Sequence, residues 1–339
     1  MPKLKLGVVD QSPVGTGGTG ADAVRETLEL ARAAERLGYS RYWLAEHHST
    51  NSFAGSAPEV LIPMVAAATR EMRVGSGGVL LSHYSPYKVA EQFRMLQTLF
   101  PGRIDLGVGR APGGDARTVQ ALQYGRGGLP MEWFPRQVED MVGWLGETLD
   151  AAHPFARVRA TPRGKDVPQV WILGSGGAGA GHAAELGTGY SFAQFISGED
   201  GAPLMRAYRK RFRPSAALAT PAGSVALSVV CAETSGRAVE LAASMELWRR
   251  RIAKGRDRGI PSVPEALAEL GGTREPRRMG ENGARTIAGD PAEVRDELLR
   301  TAAHYDVDEL MIVTVTHDFV SRLRSYELLA EALELEPRD

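Results

Sequence analysis

Residues 41–48, RYWLAEHH, place a predicted buried strand directly before three ionisable side chains. Residues 42–45 (YWLA) are apolar and aromatic, a composition that is typical of a buried β-strand. Glu46, His47 and His48 follow without a turn residue. In parallel α/β folds the ligand lies at the carboxyl ends of the strands. Because an unperturbed histidine titrates near neutral pH, this junction is a suitable position for a general base.

Seven further segments have the composition of strands, and segments with helical periodicity separate them. The predicted strands are residues 4–9, 41–45, 72–81, 103–108, 169–173, 190–193, 225–232 and 309–315. Alternation of strands and helices indicates a parallel sheet, and eight such units favour a (β/α)8 TIM barrel over a doubly wound sheet. We therefore expect residues 1–339 to form a single barrel domain with an insertion after strand seven.

The insertion contains the least regular part of the sequence. Residues 255–288 are rich in glycine, proline and arginine, with a weak helical pattern only at residues 265–270. Long irregular segments in compact domains are usually lids or disordered loops. We predict that residues 255–288 form a mobile lid.

The composition excludes several classes of function. The chain has 339 residues and a formal net charge of -1, so charge gives no argument for binding nucleic acid or an anionic membrane. Its one cysteine, Cys231, lies in an apolar run and excludes both an internal disulfide and a thiolate metal cage. The apolar run at the N-terminus is too short for a signal peptide, and no stretch is long enough to span a membrane. These features predict a soluble cytoplasmic protein.

Polar and ionisable residues recur where the predicted strands end. Four of the seven histidines follow strands, which favours a shared site over isolated loop histidines satisfied by nearby backbone. A metal site built from His47, His83, His317 and Asp318 is the competing hypothesis, but the sequence lacks the helical His-Glu-x-x-His spacing. The candidate residues at the strand ends are Asp10, His47, His83, Tyr84, Arg110, Ser175, Gly176, Gly177, Gln194 and His317.

Two of these strand ends indicate an anionic ligand. Gly174-Ser175-Gly176-Gly177 opens a predicted helix, and a helix N-terminus with unpaired backbone N–H groups favours an anion. Arg110 supplies a cationic donor after the neighbouring strand. Each motif alone is common, and an arginine after a strand is more often a surface ion pair, but their occurrence after adjacent strands predicts a phosphate site.

The order of motifs along the chain resembles that of the bacterial luciferase-like, flavin-dependent monooxygenases, and in particular their single-chain oxidoreductase branch. The resemblance extends over nearly the whole sequence. It is carried by RYWLAEHH, by VGSGGVLL from Val74, by HYSPYKVAEQF from His83, by PGRIDLGVGRAPGG from Pro101, by WILGSGG from Trp171, by AGDPAEVRDEL from Ala288 and by DELMIVTVTHD from Asp308.

The resemblance implies a site for reduced FMN. It makes His47 the residue important for flavin chemistry, and Arg110 the phosphate ligand, with further contacts from Ser175, Gly176 and Gly177. It also places a non-proline cis peptide at about Gly77-Gly78, against the flavin ring. Asp10, His83, Tyr84, Gln194 and His317 would line the substrate side.

The implied activity is that of an FMN-dependent monooxygenase, which acts on paired donors and uses dioxygen to oxidise a small organic substrate such as a carbonyl compound or aldehyde. The phosphate turn offers mostly Gly and Ala after Ser175, which suits a flavin delivered by a separate flavin reductase. The resemblance also implies a homodimer. A deazaflavin-dependent dehydrogenase and a non-catalytic flavin-binding protein are the alternatives that the sequence leaves open.

Overall fold

The computed structural model describes residues 3–124, 131–197, 199–215, 217–272 and 285–338. Its strands are β1 (Lys5–Asp10), β2 (Arg41–Leu44), β3 (Arg73–Leu80), β4 (Ile104–Gly109), β5 (Gln169–Gly174), β6 (Gly189–Ala193), β7 (Gly223–Cys231), β8 (Thr286–Gly289) and β9 (Glu309–Val313). All strands except β8 form a closed parallel barrel in the order β1 to β7 and then β9, which returns to β1. The predicted (β/α)8 barrel is confirmed.

Helices connect the strands and surround the barrel. They are α1 (Gly20–Arg36), α2 (Pro58–Ala68), α3 (Pro86–Leu99), α4 (Ala116–Leu122), α5 (Phe134–Gly146), α6 (Gly177–Leu186), α7 (Ala202–Arg211), α8 (Ser235–Ile252), α9 (Val263–Leu270), α10 (Pro291–Tyr305) and α11 (Phe319–Ala332). Within the described ranges, none of these helices has the length and apolar character needed to cross a membrane.

Local sequence signals explain several helix ends. The Thr19 hydroxyl accepts a hydrogen bond from the backbone N–H of Asp22, which caps the start of α1. Asp290 and Glu293 form a capping box at the start of α10. After α1, Gly38 has φ +88°, and a Cβ there would lie 2.2 Å from the carbonyl oxygen of Glu336. Only glycine fits this turn.

The strands separate two hydrophobic layers. On β2, Tyr42 and Leu44 face the surrounding helices, whereas Trp43, and Ala45 directly after the strand, face the barrel interior. Inside the barrel the rings of Trp43 and Trp171 meet edge to face, with centroids 5.3 Å apart. This alternation decides which residues beyond each strand can reach the centre of the barrel.

A buried ionic network lies inside the barrel around Asp105. Asp105 accepts hydrogen bonds from Arg41 Nη1 at 2.8 Å, Arg73 Nη2 at 2.6 Å and Trp43 Nε1 at 2.9 Å. Because the carboxylate is fully paired, its burial carries no uncompensated charge. The pairs of Asp105 with Gln169 on β5 and with Gly75 on β3 place it near the amino end of the barrel, away from the expected site.

The insertion after β7 is confirmed, but part of the predicted lid is regular structure. Helix α9 lies within residues 255–288, and β8 begins there and pairs in parallel with β7 from Ser228 opposite Thr286. The sequence does not predict β8, because its four residues, TIAG, do not have the composition of a strand. They become a strand by pairing with β7. Residues 273–284 of the predicted lid lie outside the described residues, and its mobility stays a prediction.

Candidate functional site

His47 lies in the barrel interior at the carboxyl end of β2. It follows the interior-facing Ala45 by two residues, and its backbone N–H donates to the carbonyl of Gly55 at 2.8 Å. Its ring packs against Phe53, with centroids 4.8 Å apart. These contacts hold the imidazole inside the mouth of the barrel.

The His47 imidazole is neutral at pH 7 and has an unsatisfied nitrogen. Burial, and then the charge of His48, lower the pKa of His47 to about 4. Its Nδ1 atom is buried and meets no hydrogen-bond partner in the described part of the chain. Since buried polar atoms are normally paired, this nitrogen is available to a bound molecule. The Oε1 atom of Gln11, two residues past the interior-facing Val9, is buried and unpaired in the same sense.

Glu46 connects the ends of neighbouring strands. Its carboxylate accepts hydrogen bonds from the backbone N–H of Leu80 at 2.9 Å, from the Tyr84 hydroxyl at 2.6 Å and from His48 Nε2 at 2.7 Å. Burial, and then the bond to Glu46, raise the pKa of Tyr84. The Tyr84 hydroxyl is therefore bound within the protein, and the place of Tyr84 on the substrate side stays a prediction.

The non-proline cis peptide implied by the resemblance is present between Gly77 and Gly78. A Cβ on Gly77 would lie 2.8 Å from Trp43 Cβ, and one on Gly78 would lie 2.6 Å from the carbonyl oxygen of Gly107. The glycines of β3 thus permit close packing of the barrel's own backbone. Contact between these glycines and a flavin stays a prediction.

The predicted phosphate ligands lie at neighbouring strand ends. Pairing of β4 with β5, as in Val108 opposite Ile172, places the segments that follow both strands at one edge of the barrel. Arg110 and Ser175 are exposed there, and none of the described carboxylates forms an ion pair with Arg110. Helix α6 begins at Gly177, and its N-cap residue Gly176 provides no side-chain hydrogen bond.

This edge fits an anionic group. A Cβ placed on Gly174 or Gly176 would meet open space, so the backbone around the start of α6 is accessible. The uncapped N–H groups of that turn and the Arg110 guanidinium are the donors that a phosphate requires. The buried Nδ1 of His47, which is unpaired among the described residues, lies apart from these donors in the barrel mouth.

The polar groups of Asp10 and Gln194 are bonded in the layer between barrel and helices, which does not favour their predicted place on the substrate side. Asp10 accepts hydrogen bonds from Arg322 Nη2 at 2.6 Å, from the Tyr42 hydroxyl and from the backbone N–H of Ser12 at 2.7 Å. Burial would raise the pKa of Asp10, but the Arg322 guanidinium and these bonds lower it overall. The carboxylate consequently ties β1 to α11 in the layer between barrel and helices.

The side chain of Gln194 is engaged in the same outer layer. Its Oε1 accepts a hydrogen bond from the Tyr305 hydroxyl of α10, and that hydroxyl also accepts from the backbone N–H of Gly201. Sequence reasoning could place Asp10 and Gln194 at strand ends, but not choose the face of the sheet.

His83 and His317 lie at the rim of the barrel. His83 Nε2 donates to the carbonyl of Pro112 at 2.8 Å, while its Nδ1 is buried and unpaired among the described residues. His317 Nε2 lies 3.3 Å from both the hydroxyl and the carbonyl oxygen of Thr16. Asp318 caps α11 by accepting from the backbone N–H of Ser321 at 2.8 Å. The described side chains include no group of three or more His, Cys, Asp or Glu arranged to hold a metal ion.

An aromatic wall beside His47 was not predicted. Phe53 packs edge to face on Trp248 of α8, with centroids 5.2 Å apart, and Trp248 Nε1 donates to Ser52 Oγ at 2.8 Å. Ile260 joins the same interior cluster. Asp257 holds the insertion against the loop after β2, where it accepts from Thr50 Oγ1 at 2.6 Å. No local signal identifies this wall, because segments about 200 residues apart in sequence build it.

A family model described as luciferase-like monooxygenase matches residues 4–306. The chain belongs to the luciferase-like monooxygenase family. The protein YwcH of Bacillus subtilis (strain 168) is 44% identical over 330 residues, covering 97% of this chain and 99% of that protein. The N-acetyl-S-alkylcysteine monooxygenase of the same organism is 38% identical over 337 residues, covering 97% and 98%. The crystal structure of apo-MsnO8 matches with a TM-score of 0.90 at 41% identity, covering 99% of this chain and 100% of that one.

Two solved structures of lower identity carry different cofactors. The oxygenating constituent of 3,6-diketocamphane monooxygenase, solved in complex with FMN, matches with a TM-score of 0.68 at 16% identity. An F420-dependent secondary alcohol dehydrogenase matches with a TM-score of 0.67 at 14% identity. At such low identity the likeness shows the shared fold alone.

Proposed function

We propose that this family member is a monooxygenase that uses reduced FMN and dioxygen to oxidise a small organic substrate. The observation that carries the proposal is the neutral His47 imidazole, whose buried Nδ1 has no partner among the described residues, in the same barrel mouth as an uncapped helix start and Arg110. The first can interact with a polar ring, and the others with a phosphate.

The FMN phosphate would be held by Arg110, Ser175 and the backbone N–H groups of Gly176 and Gly177. The ring would lie toward Gly77-Gly78 and His47. Bound reduced FMN supplies the electrons with which dioxygen is activated for insertion into the substrate. Because phosphate binding rests mostly on backbone groups and one arginine, we infer that the flavin exchanges and that a separate flavin reductase delivers it.

The chain's own residues would exclude water and manage protons. The interior cluster around Trp43, Phe53 and Trp248 is apolar, which limits access of water to the reacting centre. His47 is unprotonated at neutral pH, so its Nδ1 can accept a hydrogen bond or a proton from a ligand in the mouth.

The relatives support a monooxygenase and suggest where to begin the substrate search. One relative is named N-acetyl-S-alkylcysteine monooxygenase, and an S-alkylcysteine contains a thioether. We therefore propose thioethers, in addition to carbonyl compounds and aldehydes, as candidate substrates.

Anaerobic titration with reduced FMN tests the proposal, with reduced F420 in parallel and protein fluorescence as the readout. We expect saturable binding of reduced FMN. When air, a flavin reductase, NADH and a panel of thioethers, aldehydes and ketones are then supplied, we expect a product that is one oxygen atom heavier than its substrate. Binding of reduced F420 instead would indicate a dehydrogenase. Binding of FMN without oxygenation of any thioether, aldehyde or ketone in the panel would indicate a flavin carrier.

Substitution of the phosphate ligand gives a sharper version of this test. The Arg110→Gln variant should bind reduced FMN at least about tenfold more weakly than the wild type, because it loses a charge-assisted contact to the phosphate. Arg117→Gln is the matched control, since Arg117 is also exposed and lies at the start of α4. Equal affinities of the two variants would contradict the role of Arg110.

The exposed faces of α2 and α3 support the homodimer that we also propose. Val60 and Met64 of α2 and Met95 and Leu99 of α3 are each at least half exposed, at 63%, 56%, 50% and 59%. Clustered exposed apolar side chains commonly mark a protein interface. These four residues are called the α2–α3 face below.

A further inference from the structure

Arg249 is a half-buried arginine whose position suggests a ligand. Its Nη1 donates to the hydroxyl of Thr286 on β8 at 3.1 Å. Among the described residues no carboxylate forms an ion pair with this guanidinium, although the neighbouring Arg250 pairs with Glu246 at 2.8 Å. The more deeply buried Arg41 and Arg322 each have a carboxylate partner. The partly buried Arg103 donates to backbone carbonyls and to the Thr69 hydroxyl, whereas Arg249 donates to Thr286.

The surroundings of Arg249 add positive charge and hydroxyl groups. The Thr286 hydroxyl lies 3.0 Å from Ser228 Oγ on β7. Burial, and then the positive charge of the nearby Arg285, lower the pKa of Arg249 to about 10, although the Glu246 carboxylate one helical turn earlier acts in the opposite direction. A cation that is disfavoured by its own surroundings gains most from an anionic ligand.

The strand register places this group at the mouth of the barrel. Ser228 lies opposite Val313, the last residue of β9 and a member of the interior cluster. Met245, one helical turn before Arg249 on α8, belongs to the same cluster. Trp248, the preceding residue, packs on Phe53, which in turn packs on His47. The cationic group and the aromatic wall therefore lie on the same side of the mouth.

We propose that Arg249, with the hydroxyls of Thr286 and Ser228, binds the carboxylate of the organic substrate, whose apolar part then lies against Phe53 and Trp248 toward His47. This inference rests on the proposed function, because only a monooxygenase would oxidise the bound acid. Binding of the acid to Arg249 does not itself require a flavin. It narrows the substrate class to small apolar carboxylic acids, including acids that carry a thioether.

Binding of matched acids and amides tests the subsite. The probes are (benzylthio)acetate, 3-(benzylthio)propanoate and 4-phenylbutyrate, each compared with its primary amide at millimolar concentration. Dissociation constants are measured by tryptophan fluorescence and by saturation-transfer NMR on the protein without added flavin. We expect at least one acid to bind more tightly than its amide.

Three variants assign the effect to Arg249. The Arg249→Gln variant should bind the acid about 30-fold more weakly than the wild type, because the carboxylate loses its charged partner. Its affinity for the amide should change little. Arg249→Lys should retain part of the preference, since it keeps the charge but loses the planar fork. Arg250→Gln is the control, with the same charge change on the next, exposed residue of α8, and should bind the acid as the wild type does.

Thermal unfolding separates a binding role from a structural one. Because Arg249 has no described ion pair to lose, Arg249→Gln should unfold at the same temperature as the wild type or higher. A strong loss of stability, equal affinities of acid and amide, unchanged acid binding by Arg249→Gln, or no binding of any acid would each overturn the inference. Failure of the proposed function would be seen separately, as a protein that binds these acids but not reduced FMN.

Discussion

His47 shows how neighbouring residues set the chemistry of one side chain. The sequence places an ionisable ring after a strand, but Phe53, brought in from the following loop, supplies part of the apolar contact that accompanies its low pKa. A neutral ring with an unpaired nitrogen can accept a proton from a ligand, whereas a permanently charged ring could not. We expect His47→Ala to bind FMN normally but to lose coupled oxygenation, and unchanged turnover would contradict this role.

The lowered pKa also predicts a pH dependence of stability. The pKa of His47 is about 4 in the folded protein, below the ordinary value of 6.5. As pH falls through 6.5, the unfolded chain takes up a proton that the folded chain does not, so stability is lost down to about pH 4. Between pH 7 and pH 5 the wild type should lose about 2 kcal/mol more than His47→Asn, measured by urea unfolding.

At the scale of elements, β3 and the start of α6 use glycine for opposite reasons. Gly78 of β3 lies where an added Cβ would be 2.6 Å from the carbonyl of Gly107 and 2.8 Å from Leu173 Cδ1. Gly176 before α6 has an extended backbone, with φ -139°, and open space at its Cβ position. The first glycine is required by packing, and the second leaves the helix N-terminus accessible.

These two glycines give a matched pair of substitutions. Gly78→Ala should destabilise the protein by roughly 1–3 kcal/mol, because the barrel backbone must move to admit the methyl group. Gly176→Ala should change the free energy of unfolding by less than about 0.5 kcal/mol. Urea unfolding of both variants measures the difference, and similar losses would show that the packing of β3 is looser than described.

For the whole molecule, the α2–α3 face predicts a change of assembly on substitution. Met64→Lys combined with Leu99→Lys places two charges on this face, and desolvating them in an interface would be costly. We expect the wild type to be a dimer and the double variant a monomer with an unchanged unfolding temperature at low concentration, measured by light scattering after gel filtration. Val320→Lys with Leu299→Lys, at exposed apolar positions on other helices, is the control and should remain dimeric.

Much of the architecture follows from the sequence alone. Apolar runs such as residues 42–45, separated by amphipathic helices, specify both the strands and their parallel order, because each element must bury one face against its neighbours. The glycine turn after β5 and the residues after β2 and β4 were placed at the strand ends by the same reasoning. The sequence also determined that four histidines follow or lie near strand ends.

Only the tertiary structure decided which of these residues reach the barrel mouth. Successive side chains along a strand point alternately to the two faces of the sheet. Asp10 therefore pairs with Arg322 in the outer layer, whereas His47 faces the interior. The aromatic wall of Phe53 and Trp248, the strand β8 and the placement of Arg249 depend on docking of an insertion far away in sequence. Such contacts cannot be predicted from local composition, because the free energy that stabilises them comes from burial of surface between segments that are distant in sequence.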